Sequence, residues 1–426
     1  MIDILVIADD FTGALDTGVQ FASAGIRTVV RTGGNYDFYQ LSEENVQILV
    51  IDAETRHLSS QEAYRVVFHI TKKAVESGIR HIYKKTDSAL RGNIGSELTA
   101  VLDASNCRTL PFIPAHPHMN RITRGGVHYI DGKSVEESVF GVDPFEPVTR
   151  SYIPDIIGLQ SSVRTAVIGR GERESESRSR EIDIYDVETE EQLQEIASRL
   201  FDRNRLPVMA GCAGFASVLP GLFRLQKDPR KTALSAEGLI VVNGSLNPIT
   251  ADQLDYAEAH SGYHRVILKP WQKLEAGYWE RPEGIQEQQA VLQKCRKYRY
   301  LIIDGKDRDG SSTTDAYAEE KGMDTEDARR QIAISLGKLV NSLVEGNLHH
   351  TLMVIGGDTL QSVLQELGVC EMYPVCEIFP GTVISRCCCR GQEYQIISKS
   401  GGFGEKTLLE DISDFVLQDR KEKEYV

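Results

Sequence analysis

A chain of 426 residues is too long for one ordinary hydrophobic core, so two domains are expected. Its apolar fraction of 41% and charged fraction of 26% are those of a soluble globular protein. A formal net charge of −14 argues against nucleic acid or an anionic membrane as partner, since neither rewards an acidic surface, but it leaves room for a local phosphate pocket. No apolar run approaches the roughly 20 residues of a membrane span. The first apolar stretch is one strand long, carries Asp3 and lacks a basic flank. That is not a signal-peptide pattern, and a cytoplasmic location is expected. Cys387-Cys388-Cys389 is the densest group among irregularly spaced cysteines. Consecutive strand residues point to opposite faces, so the triplet makes a poor metal cage, and free thiols in a reduced interior are expected.

Ile4–Ala8 reads as a buried strand that breaks into Asp9 and Asp10, then into Thr12, Gly13 and a helical pattern to Ala24. Strands follow at Thr28–Arg31 and Gln47–Ala53, a helix at Ser60–Ser77, a short strand at His81–Lys84 and a helix at Ile94–Leu102. This alternation predicts a parallel, doubly wound sheet. From Phe112 the pattern changes to loops, with a basic segment Arg121–Gly126, an apolar Val127–Ile130 and an Asp131-Gly132 hairpin signal. Strands at Thr165–Ile168 and Leu206–Ala210, with a helix at Glu190–Asn204, resume the series. Gly171–Glu181 has mixed charge without an apolar face and reads as solvated. A polar break gives a first domain over 1–228, a linker over 229–237 and a second domain over 238–415. The second domain carries strands at Leu239–Val242, Tyr300–Ile303, Met353–Ile355 and Tyr394–Ile397, and 421–426 reads as a frayed tail.

Two carboxylates at a strand's carboxyl end sit where ligands bind in open α/β sheets. Asp9 and Asp10 are therefore candidates for a base or for magnesium carboxylates, with an N-cap role as the plain alternative for either one. Asp87-Ser-Ala-Leu-Arg-Gly-Asn93 collects an acid, a hydroxyl, a guanidinium and an amide around Gly92. That set suits a small hydroxylated anion, with Arg91 holding a carboxylate bidentately and Asp87 and Asn93 taking hydroxyls. Arg56 is a second anion ligand. Lys84 and Lys85 alternate across a strand end, one towards substrate and the other towards water. His116, His118 and His128 have no metal-ligand spacing and read as loop or substrate-loop contacts. In the second half, Gly244-Ser245, Gly356-Gly357-Asp358-Thr359 and Ser400-Gly401-Gly402 each follow an apolar run. Such turns bring backbone N–H groups close to phosphate, though none has the P-loop or dinucleotide form.

Together these segments resemble the four-carbon acid sugar kinase family. The resemblance rests on Ala8–Ala14, Lys84–Gly95, Gly126–Gly132, Asp143–Ser151, Gly244-Ser245, Gly356–Thr359 and Lys399–Gly404. It implies two domains, each with a mostly parallel sheet flanked by helices, and an active site in the cleft between them. The N-terminal domain binds the sugar acid and the C-terminal domain binds ATP. It implies phosphorylation of the terminal hydroxyl of a tetronate, with Mg2+ as companion ion. Nucleotide contacts map onto Ser245, Gly356 to Thr359 and the glycines after Ser400. Asp10, with Asp9 as rival, or Asp87 takes the hydroxyl's proton. Arg91 and Arg56 hold the carboxylate, with Lys85, Ser88, Gly92 and Asn93 in the same set. Magnesium ligands are not assigned. Ala89 stands where Thr is common, Met119-Asn120 precede Arg121 where Gly is usual, and Leu360 follows Thr359 where Ser is usual. The first two bear on substrate choice and the third on nucleotide contact.

D-threonate is the leading acceptor, with D-erythronate, L-threonate, a 3-oxo-tetronate and 4-hydroxythreonine as alternatives. A non-catalytic ATP and sugar-acid sensor predicts missing acids at the strand edge, and Asp9, Asp10 and Asp87 are all present. A nicotinamide-dependent dehydrogenase predicts a dinucleotide fingerprint that is not there. Dimers are common among such enzymes, but no apolar stripe marks an interface.

Overall fold

The computed structural model describes residues 2–32, 38, 45–143, 146–171, 179–225, 227, 237–308 and 313–417. The chain divides into two compact units, 1–229 and 230–426. The expected linker, Glu237 apart, and the expected tail lie outside the described residues, as do 172–178 of the segment read as solvated.

Unit 1 is built on strands β1 (Ile4–Ala8), β2 (Thr28–Arg31), β3 (Ile48–Asp52), β4 (His81–Lys85), β5 (Thr109–Ile113), β6 (Arg121–Arg124), β7 (Val127–Ile130), β8 (Lys133–Ser134), β9 (Arg164–Ile168), β10 (Glu181–Tyr185) and β11 (Val208–Gly211). Its main sheet runs β2-β3-β1-β4-β11-β5-β10-β9, and every pairing is parallel. Helices α1 (Phe11–Ala22), α2 (Ser60–Glu76), α3 (Ile94–Ser105), α4 (Ile153–Gly158), α5 (Glu190–Asp202) and α6 (Ala213–Phe223) flank it. All five residues of β1 are buried between β3 and β4, which is why the strand reads as an unbroken apolar run. Asp10 caps α1 by accepting from the Gly13 amide, and Ser59 and Glu62 close a capping box on α2.

Two sheet strands differ from the sequence reading. β5 carries Pro111, which normally argues against a central strand. β10 alternates acids with isoleucines yet is buried throughout. Its acids are paired: Arg205 donates to Asp183 at 2.7 Å, and Arg164 lies 3.5 Å from Glu181. The hairpin excursion is present as β6-β7-β8. Asp131 and Gly132 both take positive φ, 51° and 78°, as a two-residue hairpin turn of that hand requires.

Unit 2 contains β12 (Leu239–Asn243), α7 (Pro248–His260), β13 (His264–Ile267), α8 (Pro270–Leu274), α9 (Pro282–Lys297), β14 (Tyr300–Asp304), α10 (Thr313–Glu320), α11 (Thr325–Glu345), β15 (Thr351–Ile355), α12 (Gly357–Leu367), β16 (Glu371–Phe379), β17 (Thr382–Cys389), β18 (Gln392–Lys399) and α13 (Leu408–Leu417). The order is β13-β14-β12-β15-β18-β17-β16. The first five strands are parallel, and β18-β17-β16 is an antiparallel meander that the sequence reading lacks. Cys387 and Cys389 are buried and Cys388 is exposed, the alternation a strand imposes, and all three are free thiols. Among the described residues, no helix is long and apolar enough to cross a membrane.

Candidate functional site

In unit 1, the carboxyl ends of β1, β3 and β4 gather acids and cations at one sheet edge. Arg56, just beyond β3, is the hub. Its Nε donates to Asp9 Oδ2 at 2.8 Å, and one Nη lies 2.8 Å from Asp10 and 3.5 Å from Asp87. Gly92, at φ +82°, lets the Arg56 side chain pass, since a Cβ there would sit 3.1 Å from Arg56 Cγ. Arg91 grips Asp87 at both oxygens, each at 3.0 Å, and approaches Asp143 at 3.4 Å. Burial alone would raise the Asp87 carboxyl, but Arg91 and Arg56 outweigh it and hold it well below the usual range. Asp9 is lowered in the same way: Arg56, Lys85 and Lys84 overcome its burial. Among the described residues, the buried Asp9 Oδ1 has no hydrogen-bond partner, which leaves one acceptor at this edge for a ligand.

Lys85 is 4% exposed, and among the described residues no hydrogen bond or ion pair engages its ammonium. A Cβ added to Gly13 would overlap both Lys85 Nζ and Asp10 Oδ1, so the cation and the acid crowd one point at the start of α1. Lys84 corrects the sequence reading, because it does not face water. It is fully buried, 2.8 Å from Glu97 on α3, and donates to the Ile7 and Lys85 carbonyls. Asn93 is also turned inward. Its amide donates to the carbonyls of Thr55, Arg56 and Leu58, and its oxygen accepts from Ser60, so it holds the Arg56 loop rather than presenting itself for a hydroxyl.

The hairpin supplies residues that the sequence did not assign. Arg121 donates to Ser88 Oγ, and the guanidinium groups of Arg91 and Arg121 both lie over the Phe140 ring, at 5.1 and 5.3 Å. His128 lies in β7 rather than in a loop. It is buried, donates from Nε2 to the Ser88 carbonyl at 2.9 Å, and is pushed down to about 4 by burial. Asp52, at the end of β3, is pushed well above the usual carboxyl range by burial and by Asp10 and Glu54. Asp52 lies inside the strand read at Gln47–Ala53 and closes it in the structure, and Asp143 opens one of the segments of the resemblance; Phe140 gives no local signal.

In unit 2, the three glycine turns picked out from the sequence come together. A Cβ on Gly244 would overlap Thr359 Oγ1, and one on Gly401 would overlap Ser245 Oγ. A Cβ on Gly402 would touch Asn247 Nδ2 at 3.4 Å, and one on Gly356, at φ +105°, would lie 3.7 Å from the Ser245 amide. Asn243 shapes the first turn: its oxygen accepts from the Ser245 amide at 3.0 Å, and its amide donates to Asp304 Oδ1 at 2.8 Å. Gly356 is the N-cap of α12, so Gly357, Asp358 and Thr359 form that helix's first turn. Thr359 is buried, whereas Asp358 is exposed and 3.4 Å from Arg329. Thr250 donates to the Gly401 carbonyl at 2.7 Å and fixes the third turn to α7. The result is a glycine-lined cradle at a helix N-terminus, a fit for nucleotide phosphates. Among the described residues, no group of three or more His, Cys, Asp or Glu is placed to hold a metal ion. Magnesium needs only one or two protein carboxylates when phosphates complete its shell.

Comparison with known proteins matches residues 4–219 to the sugar-binding N-terminal domain model and residues 240–409 to the nucleotide-binding C-terminal domain model. A D-threonate kinase of Salmonella typhimurium is 28% identical, covering 96% of this chain and 97% of its own length. A D-erythronate kinase of Heliobacterium modesticaldum is 27% identical over 65% of this chain and 66% of its own. A 3-oxo-tetronate kinase of Pseudomonas savastanoi is 25% identical over 95% of each. A solved structure from Salmonella typhimurium LT2 shares the fold at TM-score 0.80 and 22% identity, covering 97% of this chain and 99% of that one. Another, from Haemophilus influenzae, does so at TM-score 0.71 and 19% identity, covering 97% and 98%.

Proposed function

The chain belongs to the four-carbon acid sugar kinase family, and from that premise we propose that it transfers the terminal phosphoryl group of ATP to the C4 hydroxyl of a tetronate. D-threonate is the preferred acceptor, ahead of D-erythronate, L-threonate and a 3-oxo-tetronate. Full-length relatives named for D-threonate from three organisms support that order. The observation that carries the reading is the convergence of Ser245, Thr359 and Gly401 on one glycine cradle. A cytoplasmic setting is part of the same proposal.

Phosphoryl transfer asks for positioning and charge neutralisation more than for covalent chemistry. Ser245, the Gly356–Thr359 helix start and Gly401-Gly402 hold the nucleotide's phosphates. A magnesium ion carried on those phosphates supplies further neutralisation of charge. In unit 1, Asp10 takes the proton of the C4 hydroxyl. Asp87 is neutralised by Arg91 and Arg56, and Asp9 is 3% exposed, whereas Asp10 keeps 27% of its side chain accessible. Lys85 stands beside Asp10 and meets the negative charge that builds on the C4 oxygen as its proton passes to Asp10. Arg91 and Arg56, with Ser88 and Gly92 shaping the loop and Asn93 bracing it, bind the acid's carboxylate.

The test is ADP release with Mg-ATP against D-threonate, D-erythronate, L-threonate and a 3-oxo-tetronate. Strong turnover with D-threonate is expected. Silence with all four, while ATP still binds, would move the acceptor outside this group.

A further inference from the structure

Lys399 ends β18, immediately before the Ser400–Gly402 turn. It is 2% exposed, and among the described residues no carboxylate pairs with it. Its Nζ reaches the Ser400 carbonyl at 3.0 Å, the Gly401 carbonyl at 3.4 Å and Thr250 Oγ1 at 3.5 Å. In a trans peptide the C=O of one residue and the N–H of the next point in opposite directions. Drawing the carbonyls of Ser400 and Gly401 inward therefore turns the N–H groups of Gly401 and Gly402 outward. Neither of those N–H groups has a partner among the described residues. Two successive N–H groups facing one way form a concavity that binds an anion. Gly401 stands against Ser245, so this concavity opens on the cradle.

We infer that Lys399 is a positioning residue for nucleotide phosphate: it turns the Gly401 and Gly402 amides towards the anion and lends an uncompensated positive charge behind them. The inference rests on the kinase reading and names a residue that reading does not use. Its neighbours are neutral, with Thr382 opposite on β17, Ile355 opposite on β15, and Thr250 on α7. Burial lowers the ammonium to about 8, so an anion that needs the charge is held less well as pH rises through that value.

The test is calorimetric titration of ATP, ADP and adenosine into the full chain, the Lys399→Met variant and the Lys399→Arg variant. Lys399→Met is expected to weaken ATP and ADP on the order of tenfold and to leave adenosine within about twofold. Wild-type affinity for ATP is expected to fall between about pH 7 and about pH 9.5, and that of Lys399→Arg to stay level, because guanidinium keeps its proton. Unchanged ATP affinity in Lys399→Met, or an equal loss for adenosine, would overturn the inference and leave the kinase reading standing. If Lys399→Met does not fold, the wild-type pH profile decides, and a flat one overturns it. A wild type that binds none of the three would remove the kinase reading and this inference with it.

Discussion

Arg91 holds the Asp87 carboxylate at both oxygens, Nε to Oδ2 and Nη2 to Oδ1, each at 3.0 Å. A bidentate pair of this kind keeps the acid ionised despite its burial. Its contribution to stability is present above the unfolded carboxyl value of about 3.9 and is lost as pH falls through the lower folded value. Arg91→Met is therefore expected to move the acid-unfolding midpoint to higher pH. Circular dichroism during acid titration reads this, and an unmoved midpoint would contradict it.

Lys84 and Glu97 form a second pair, 2.8 Å apart with side chains 0% and 1% exposed, and it belongs to the core rather than the site. Removing one partner strands a buried charge. Lys84→Met should cost about 3–5 kcal/mol in urea denaturation, and Lys84→Met with Glu97→Leu should recover most of that. A double variant no more stable than the single one would show that the pair is not self-contained.

Gly13 separates stability from catalysis. An added Cβ meets the flexible ends of Lys85 and Asp10 rather than backbone, so both side chains swing aside at little cost to the fold. Gly13→Ala should melt within a few degrees of wild type while kcat falls by about tenfold or more, since small displacements of reacting groups are costly. Normal kcat would remove Asp10 and Lys85 from the reacting centre.

Gly244→Ala makes the matching test in unit 2. Its Cβ would overlap Thr359 Oγ1 and touch Leu336 at 3.4 Å, so the Ser245 turn and the start of α12 must part. ATP affinity should drop on the order of tenfold by titration calorimetry. Retained affinity would mean that the cradle does not hold phosphate.

Much of this was legible because parallel strands buried on both faces read as plain apolar runs that end abruptly in chemistry. Ile4–Ala8 into Asp9-Asp10 and Thr351–Ile355 into Gly356 are examples. β5 was hidden by Pro111, and β10 by Glu181 and Asp183, whose partners Arg164 and Arg205 lie elsewhere in the chain. Lys84 and Lys85 show the limit for a site. Period two gives their opposite faces, but only the fold reveals that Glu97 waits behind one of them and that, among the described residues, no carboxylate pairs with the other. Lys399 stands at the head of the Lys399–Gly404 glycine segment, and its role depends on which way two carbonyls turn.

The most direct measurement is the phosphorus NMR spectrum of the product made from Mg-ATP and D-threonate. C4 of a tetronate carries two hydrogens and C2 and C3 carry one each, so the account predicts a new phosphomonoester signal split into a triplet. A doublet would place the phosphate on another carbon, and inorganic phosphate alone would make the protein an ATPase; either contradicts the assignment.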